Sequence, residues 1–375
     1  MPNKIKKTGN IGEWSEVYVF FCLLGEATIY PCNPSPVRTG TTLPVDAIFR
    51  GSEANTATYE YNAAEDTWKI IKKEGQIGTV STQEAHQQAI EVLDTLLKKA
   101  SGQEKSQASF SIPKAFKFLE YLHSPSIKAK SADKKDLQLL IQDSRSGRSN
   151  ISRGFSIKSL IGKNPTLFNA SKTSCFTYEV TNLSKNQVDE INRVAGQTQH
   201  IISKIKEEEG RINYVKIHPQ FNKNLLFVDT SMPELLSHLV QEFFSDNKTA
   251  EGKHCKSIYQ LLTLMAEKDP MNWGKDSKDL YYYKIKKFLE ASALGMVASK
   301  PWSGVEDANG GFIIVKPDGE IVTFHIYDRN EFMTYLLQNC YLDCPSLSRL
   351  KVGTLRYEQD KVFLELPLQV RYSRP

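Results

Sequence analysis

Two short stretches decide the fold: DLQLLIQD, from Asp136 to Asp143, and RGFSIKS, from Arg153 to Ser159. Each is a short apolar run with polar residues interleaved, and the polar connection SRSGRSNIS separates them, so they predict two antiparallel strands. A simple register centred on Gly147 sets Asp136 opposite Lys158. The two-residue strand period then puts Ser156 and Lys158 on one face and leaves Leu137, Leu139, Phe155 and Ile157 to pack inward.

A carboxylate and an ammonium at neighbouring cross-strand positions have two readings. One is an ordinary hairpin salt bridge. The other is phosphodiester hydrolysis, which needs a hard cation to polarise the phosphate and make hydroxide available near neutral pH. Asp136 would hold that metal, and Lys158 would orient the attacking water and offset the charge that builds on the phosphate. The spacing alone leaves both readings open.

Outward from this pair, the N-terminal run carries Glu13, Val17, Phe20 and Leu24 on one helical face. Glu13 and Glu16 at its start could simply favour the positive end of the helix dipole. Strands are expected at Leu43 to Phe49 and Trp68 to Ile71, and helices at Gln83 to Lys99 and Pro113 to Leu122. Ser184 with Gln187 resembles a capping box, and further helices are expected at Pro233 to Phe244, Ser257 to Ala266 and Asp279 to Leu294. Lys316-Pro317-Asp318-Gly319 between Gly311 to Val315 and Glu320 to Tyr327 is a hairpin signal, with a second hairpin at Leu350 to Leu366. The architecture expected is α/β in the α+β sense: a mixed sheet flanked by helices, over residues 1–250, then a helical and β-hairpin part over 251–375.

With 40% hydrophobic and 24% charged residues the chain is neither disordered nor fibrous. The longest apolar run, Val17 to Leu24, is far short of a membrane span, and Met1 to Thr8 has no signal-peptide core, so a cytoplasmic protein is expected. The six cysteines are scattered, which suits reduced thiols; Cys340 and Cys344 lack the second pair that a zinc site needs. The net charge of +5 identifies nothing by itself. Its distribution says more: between Lys128 and Lys163 there are nine basic residues and three acids, an excess larger than that of the whole chain.

The block LQLLIQD through GFSIKSLIGKNPTLFNASKTSCFTYE resembles the HpaII-type restriction endonucleases. So do GNIGEWSEVYVFFCLL near the start and YYYKIKKFLEASALGM, WSGVEDANGGFIIVKPDGEIVTFHIYDRNEF and CPSLSRLKVG toward the end, in the same order. The resemblance implies a PD-(D/E)xK nuclease fold, Mg²⁺ dependence and cleavage of double-stranded DNA at CCGG. It also implies a cognate DNA methyltransferase to protect the host, and admits a homodimer. One departure matters. Ser156 stands where that superfamily's pattern has its second carboxylate, so another acid must replace it; Glu16 is favoured, then Glu13, then Glu179.

Bases are read in the major groove by Arg, Asn and Gln, whereas phosphate contacts come from any basic surface. Arg329, Asn330 and Arg349 are nominated for DNA contact on this ground. So are Lys284, Lys286 and Lys287 of YKIKKF, and Asn169 and Ser171 after the catalytic lysine. A solvated charged face is the alternative for the lysines. Two rival functions share these features: a structure-specific repair nuclease and a non-catalytic DNA-binding protein.

Overall fold

A computed structural model describes residues 7–50, 57–103, 108–127, 135–143, 148–162, 164–194, 201–245, 247–249 and 252–372. Lys128, Lys130, Asp133, Lys134, Arg145, Gly147 and Lys163 of the basic stretch lie outside the described residues.

The first helix, α1 (Ile11–Glu26), is closed at its start by a capping box: the Asn10 side chain accepts the Glu13 N–H, and the Glu13 carboxylate accepts the Asn10 N–H. There follow β1 (Thr28–Ile29), β2 (Leu43–Phe49), β3 (Thr58–Asn62), β4 (Thr67–Lys72), β5 (Gly75–Ser81), α2 (Thr82–Ala100), α3 (Pro113–Tyr121), β6 (Leu137–Asp143) and β7 (Arg148–Ser159). The chain continues through β8 (Thr166–Phe168), β9 (Cys175–Thr181), α4 (Lys185–Val194), α5 (Ile201–Glu207) and β10 (Arg211–Ile217). Four helices come next, α6 (Pro219–Val228), α7 (Met232–Phe243), α8 (Ile258–Lys268) and α9 (Ser277–Leu294). Last are β11 (Gly311–Val315), β12 (Ile321–His325), α10 (Arg329–Asn339), β13 (Cys340–Leu342), α11 (Leu347–Leu350), β14 (Leu355–Glu358), β15 (Lys361–Pro367) and β16 (Val370–Tyr372).

These elements form two units, Met1–Pro165 with Glu306–Phe332, and Thr166–Val305 with Met333–Pro375. The division expected near residue 250 therefore falls inside the second unit, and the hairpin of β11 and β12, expected in the C-terminal part, belongs to the first. A hairpin pattern declares its own two strands, but the sheet it joins is chosen by long-range pairing.

In the first unit the strand order is β12-β11-β7-β6-β2-β3-β4-β5, with β1 paired to β2. Neighbours are antiparallel except β11 on β7, which run parallel. Both β11 and β12 are buried along their whole length, which is why GFIIV and IVTFH read as unbroken apolar runs. The core lies between this sheet and α1, α2 and α3.

The N-terminal helix departs from the one-faced stripe expected of it. From Trp14 to Leu24 every residue but Glu16 is buried, because α1 is packed on two sides. Toward the sheet, Ser15 Oγ donates to Ser159 Oγ of β7 at 2.9 Å. Toward α2, a Cβ on Gly25 would stand 3.0 Å from the His86 Cα, so glycine permits the close approach. Trp14 and Trp68 are fully buried, and each indole N–H donates to a backbone carbonyl, Phe110 at 3.0 Å and Leu24 at 2.6 Å.

The second unit holds two further sheets, β10-β9-β15-β14 and β13-β16-β8. The hairpin of β14 and β15 turns on Gln359 and Asp360, at φ of 48° and 64°, the positive pair that a two-residue turn requires. Ser184 and Gln187 form the expected capping hydrogen bonds at the start of α4.

Candidate active site

The register of β6 on β7 differs from the simple one by two residues. Leu137 faces Phe155 and Ile141 faces Ile151, and a bulge before the Asp143 and Arg148 pair takes up the slack. Asp136, immediately before β6, therefore stands beside Ser156 rather than opposite Lys158. A shift of two preserves the faces. Leu137, Leu139, Phe155 and Ile157 are all buried in the core, as the alternation predicts.

Asp136 is held by the last residues of β7. Its N–H donates to the Phe155 carbonyl at 2.8 Å, and its Oδ2 accepts the Ile157 N–H at 2.6 Å and the Ser156 hydroxyl at 3.2 Å. Two donors on one oxygen fix the carboxylate's orientation. Ser156 is only 2% exposed, so its hydroxyl serves Asp136 rather than solvent.

Lys158 lies two residues along β7, half-buried, with its Nζ 5.8 Å from the centroid of the Phe312 ring on β11. Among the described residues it makes no ion pair. The hairpin salt bridge, which the spacing left open, does not form: Asp136 accepts the Ser156 hydroxyl and the Ile157 N–H, and the Lys158 ammonium rests over an aromatic face.

Glu16 sits one helical turn before Phe20 on α1, and both share a neighbour that sequence reasoning missed, Arg50. Arg50 directly follows β2, and the β2 and β6 register, with Phe49 facing Gln138, carries it to the end of the sheet where Asp136 lies. Its guanidinium is 5.1 Å from the Phe20 ring and is 6% exposed. It donates to the Ser124 carbonyl at 3.3 Å, the Ser124 hydroxyl at 3.1 Å and the Ile127 carbonyl at 3.0 Å. Burial pushes the Arg50 pKa down, while the charges of Glu16 and, more weakly, Asp136 oppose that shift. The one signal in the sequence was an arginine ending an apolar strand.

The other nominated residues separate. Glu13 is used by the capping box of α1. Glu179 is in the second unit, ion-paired to Lys361 at 2.9 Å. Arg329 is ion-paired to Glu306 at 2.7 Å, and Lys286 donates to the Thr334 hydroxyl at 3.1 Å. Lys284 pairs with Asp229, and Lys287 with Glu290 at 3.3 Å, so the lysines of α9 are held by their own unit. Ser171 caps a 3-10 turn, its N–H donating to the Ser174 hydroxyl at 3.0 Å. Asn169, Asn330 and Arg349 are exposed.

The atoms that Asp136 and Glu16 can offer a metal are carboxylate oxygens. Among the described residues no three His, Cys, Asp or Glu side chains converge as a metal cage. Asp136 and Glu16 nonetheless fit a hard divalent cation of the magnesium kind, which is commonly held by one or two carboxylates with the remaining positions filled by water and substrate phosphate.

The chain matches the HpaII restriction endonuclease family over residues 10–372. It is 33% identical to the type II restriction enzyme HpaII of Haemophilus parainfluenzae over 371 residues, 97% of this chain and 98% of that protein. No solved structure matches.

Proposed function

This chain belongs to the HpaII restriction endonuclease family, and from that premise we propose that it hydrolyses double-stranded DNA at CCGG with Mg²⁺, using Asp136, Glu16 and Lys158. Membership makes it a type II site-specific deoxyribonuclease, and restriction endonucleases generally use a divalent metal. The observation that carries the residue assignment is the pairing of Asp136 with Ser156 and Ile157, which orients the carboxylate without consuming the charge of Lys158.

Asp136 and Glu16 would hold the metal, which when bound supplies a Lewis acid for the phosphate and lowers the pKa of a coordinated water. Lys158 donates to the phosphate oxygens as negative charge builds on them and keeps the attacking water in line. Ser156 holds Asp136 in its orientation; a hydroxyl there replaces a carboxylate because the second acid comes from α1. Asn169, Asn330 and Arg349 are the nominated residues free to meet base edges or phosphates by exposure. Ser171, Lys286 and Arg329 would have to exchange an internal hydrogen bond for a DNA contact.

CCGG reads the same on both strands, so two copies related by a two-fold axis would each cut one strand; a homodimer is the matching assembly. A host that carries this activity in its cytoplasm needs a methyltransferase of the same specificity. No helix among the described residues is long and apolar enough to cross a membrane.

The test is a metal titration of cleavage by Glu16→Gln and Glu179→Gln. Glu16→Gln is expected to lose roughly 10²-fold or more in rate and to need more metal, an effect of several kcal/mol. Glu179→Gln should cleave normally. The reverse result removes Glu16 from the site.

A further inference from the structure

A buried guanidinium at the end of the catalytic sheet requires an explanation that the nuclease reaction does not give. Taking Arg50 out of water is costly unless its charge is compensated, and its hydrogen bonds to Ser124 and Ile127 go to neutral oxygens. Three independent elements bring it to the two acidic groups. The strand register delivers the residue after Phe49 beside the residue before Leu137. Phe20, whose ring stacks under the guanidinium, is one turn along α1 from Glu16 and so on the same helical face. Ser124 and Ile127, from the segment that follows α3, fix the fork from behind.

We infer that Arg50 is a positioning residue, the built-in counter-charge that holds Glu16 and Asp136 together at the sheet end before any metal arrives. Two carboxylates gathered for a cation repel each other when it is absent, and a permanently charged arginine removes that repulsion. The electrostatic influence of both carboxylates on Arg50 is in keeping with this. The role carries a cost, since a cation entering the site meets a resident positive charge. Arg50 thus trades metal affinity for a site ordered in advance. The inference rests on the proposed metal site at Asp136 and Glu16.

Thermal unfolding of the full chain in chelator tests it, with calcium ion as the metal probe. Arg50→Met is expected to lower Tm by roughly 5–10 °C in the wild-type background, as for a broken buried charge pair. In the Glu16→Gln, Asp136→Asn background the same substitution should cost less than half as much, because its partners are gone. Calcium should raise the Tm of Arg50→Met by more than it raises that of the wild type. If Arg50→Met does not fold, Arg50→Lys serves: it keeps the charge, and its Tm should fall further when Glu16 and Asp136 are neutralised. Equal cost in both backgrounds, or equal calcium shifts, overturns the inference. The outcome for the parent reading is separate. No coupling while Asp136→Ala is dead overturns the role of Arg50 alone; coupling while Asp136→Ala still cleaves supports the counter-charge and removes the metal site.

Discussion

At the scale of single residues, the proposed site gives Asp136 and Lys158 roles that no neighbour duplicates. Asp136→Ala should lower the cleavage rate by about 10³-fold or more and Lys158→Ala by roughly 10²–10³-fold, the range for removing a preorganised charge from a reacting centre. Both should stay folded, because neither side chain belongs to the hydrophobic core. Circular dichroism beside a single-turnover assay checks the pair. Ser156 occupies a different position. Its hydroxyl shares Asp136 Oδ2 with the Ile157 N–H, so Ser156→Ala should lose roughly tenfold, the worth of one hydrogen bond to a charged acceptor, and not be inactive. The two strands that carry Asp136, Ser156 and Lys158, and the faces of those strands, were legible because strand alternation is a local property. Arg50 was not, since its meaning comes from Phe20, Ser124 and Asp136, which lie far from it in the chain.

At the scale of elements, the sequence shows which segments are strands and helices better than how they meet. The helices expected over 83–99, 113–122, 233–244, 257–266 and 279–294 form within two residues of those bounds, since capping residues and prolines mark their ends. The β6 and β7 register could not be placed, because the bulge between Ile141 and Asp143 is created by pairing and leaves no composition signal. Burial of α1 on two sides was hidden for the same reason. The entry of β11 into the sheet also depends on contacts of this kind. Gly311 at the start of β11 has φ of 122°, and a Cβ there would lie 1.9 Å from the Phe324 carbonyl oxygen of β12. Gly311→Ala should therefore destabilise the first unit by about 2–4 kcal/mol, combining backbone strain with a clash that rigid strand backbone cannot relieve. Denaturant unfolding would show it as a lowered midpoint; an unchanged midpoint would mean that the hairpin does not close as described.

At the scale of the whole molecule, the chain leaves its first unit after Pro165 and re-enters it at Glu306. Local patterns cannot reveal that excursion, and a boundary near 250 was the natural reading of a composition that turns from helical to β-rich. The resemblance along the full length, with 33% identity over 97% of the chain, assigns the family where local patterns assign only elements. Removal of divalent metal should abolish cleavage and restoration of Mg²⁺ should recover it, without loss of the folded state, because among the described residues the core is built without a metal cage. The most direct measurement of the central claim is to digest a plasmid of known sequence with the protein and Mg²⁺ and to sequence the termini of the products. Discrete fragments whose ends all fall at CCGG are expected, and none from Asp136→Ala under the same conditions. Termini scattered without a common sequence, or the same fragments from Asp136→Ala, would contradict that claim.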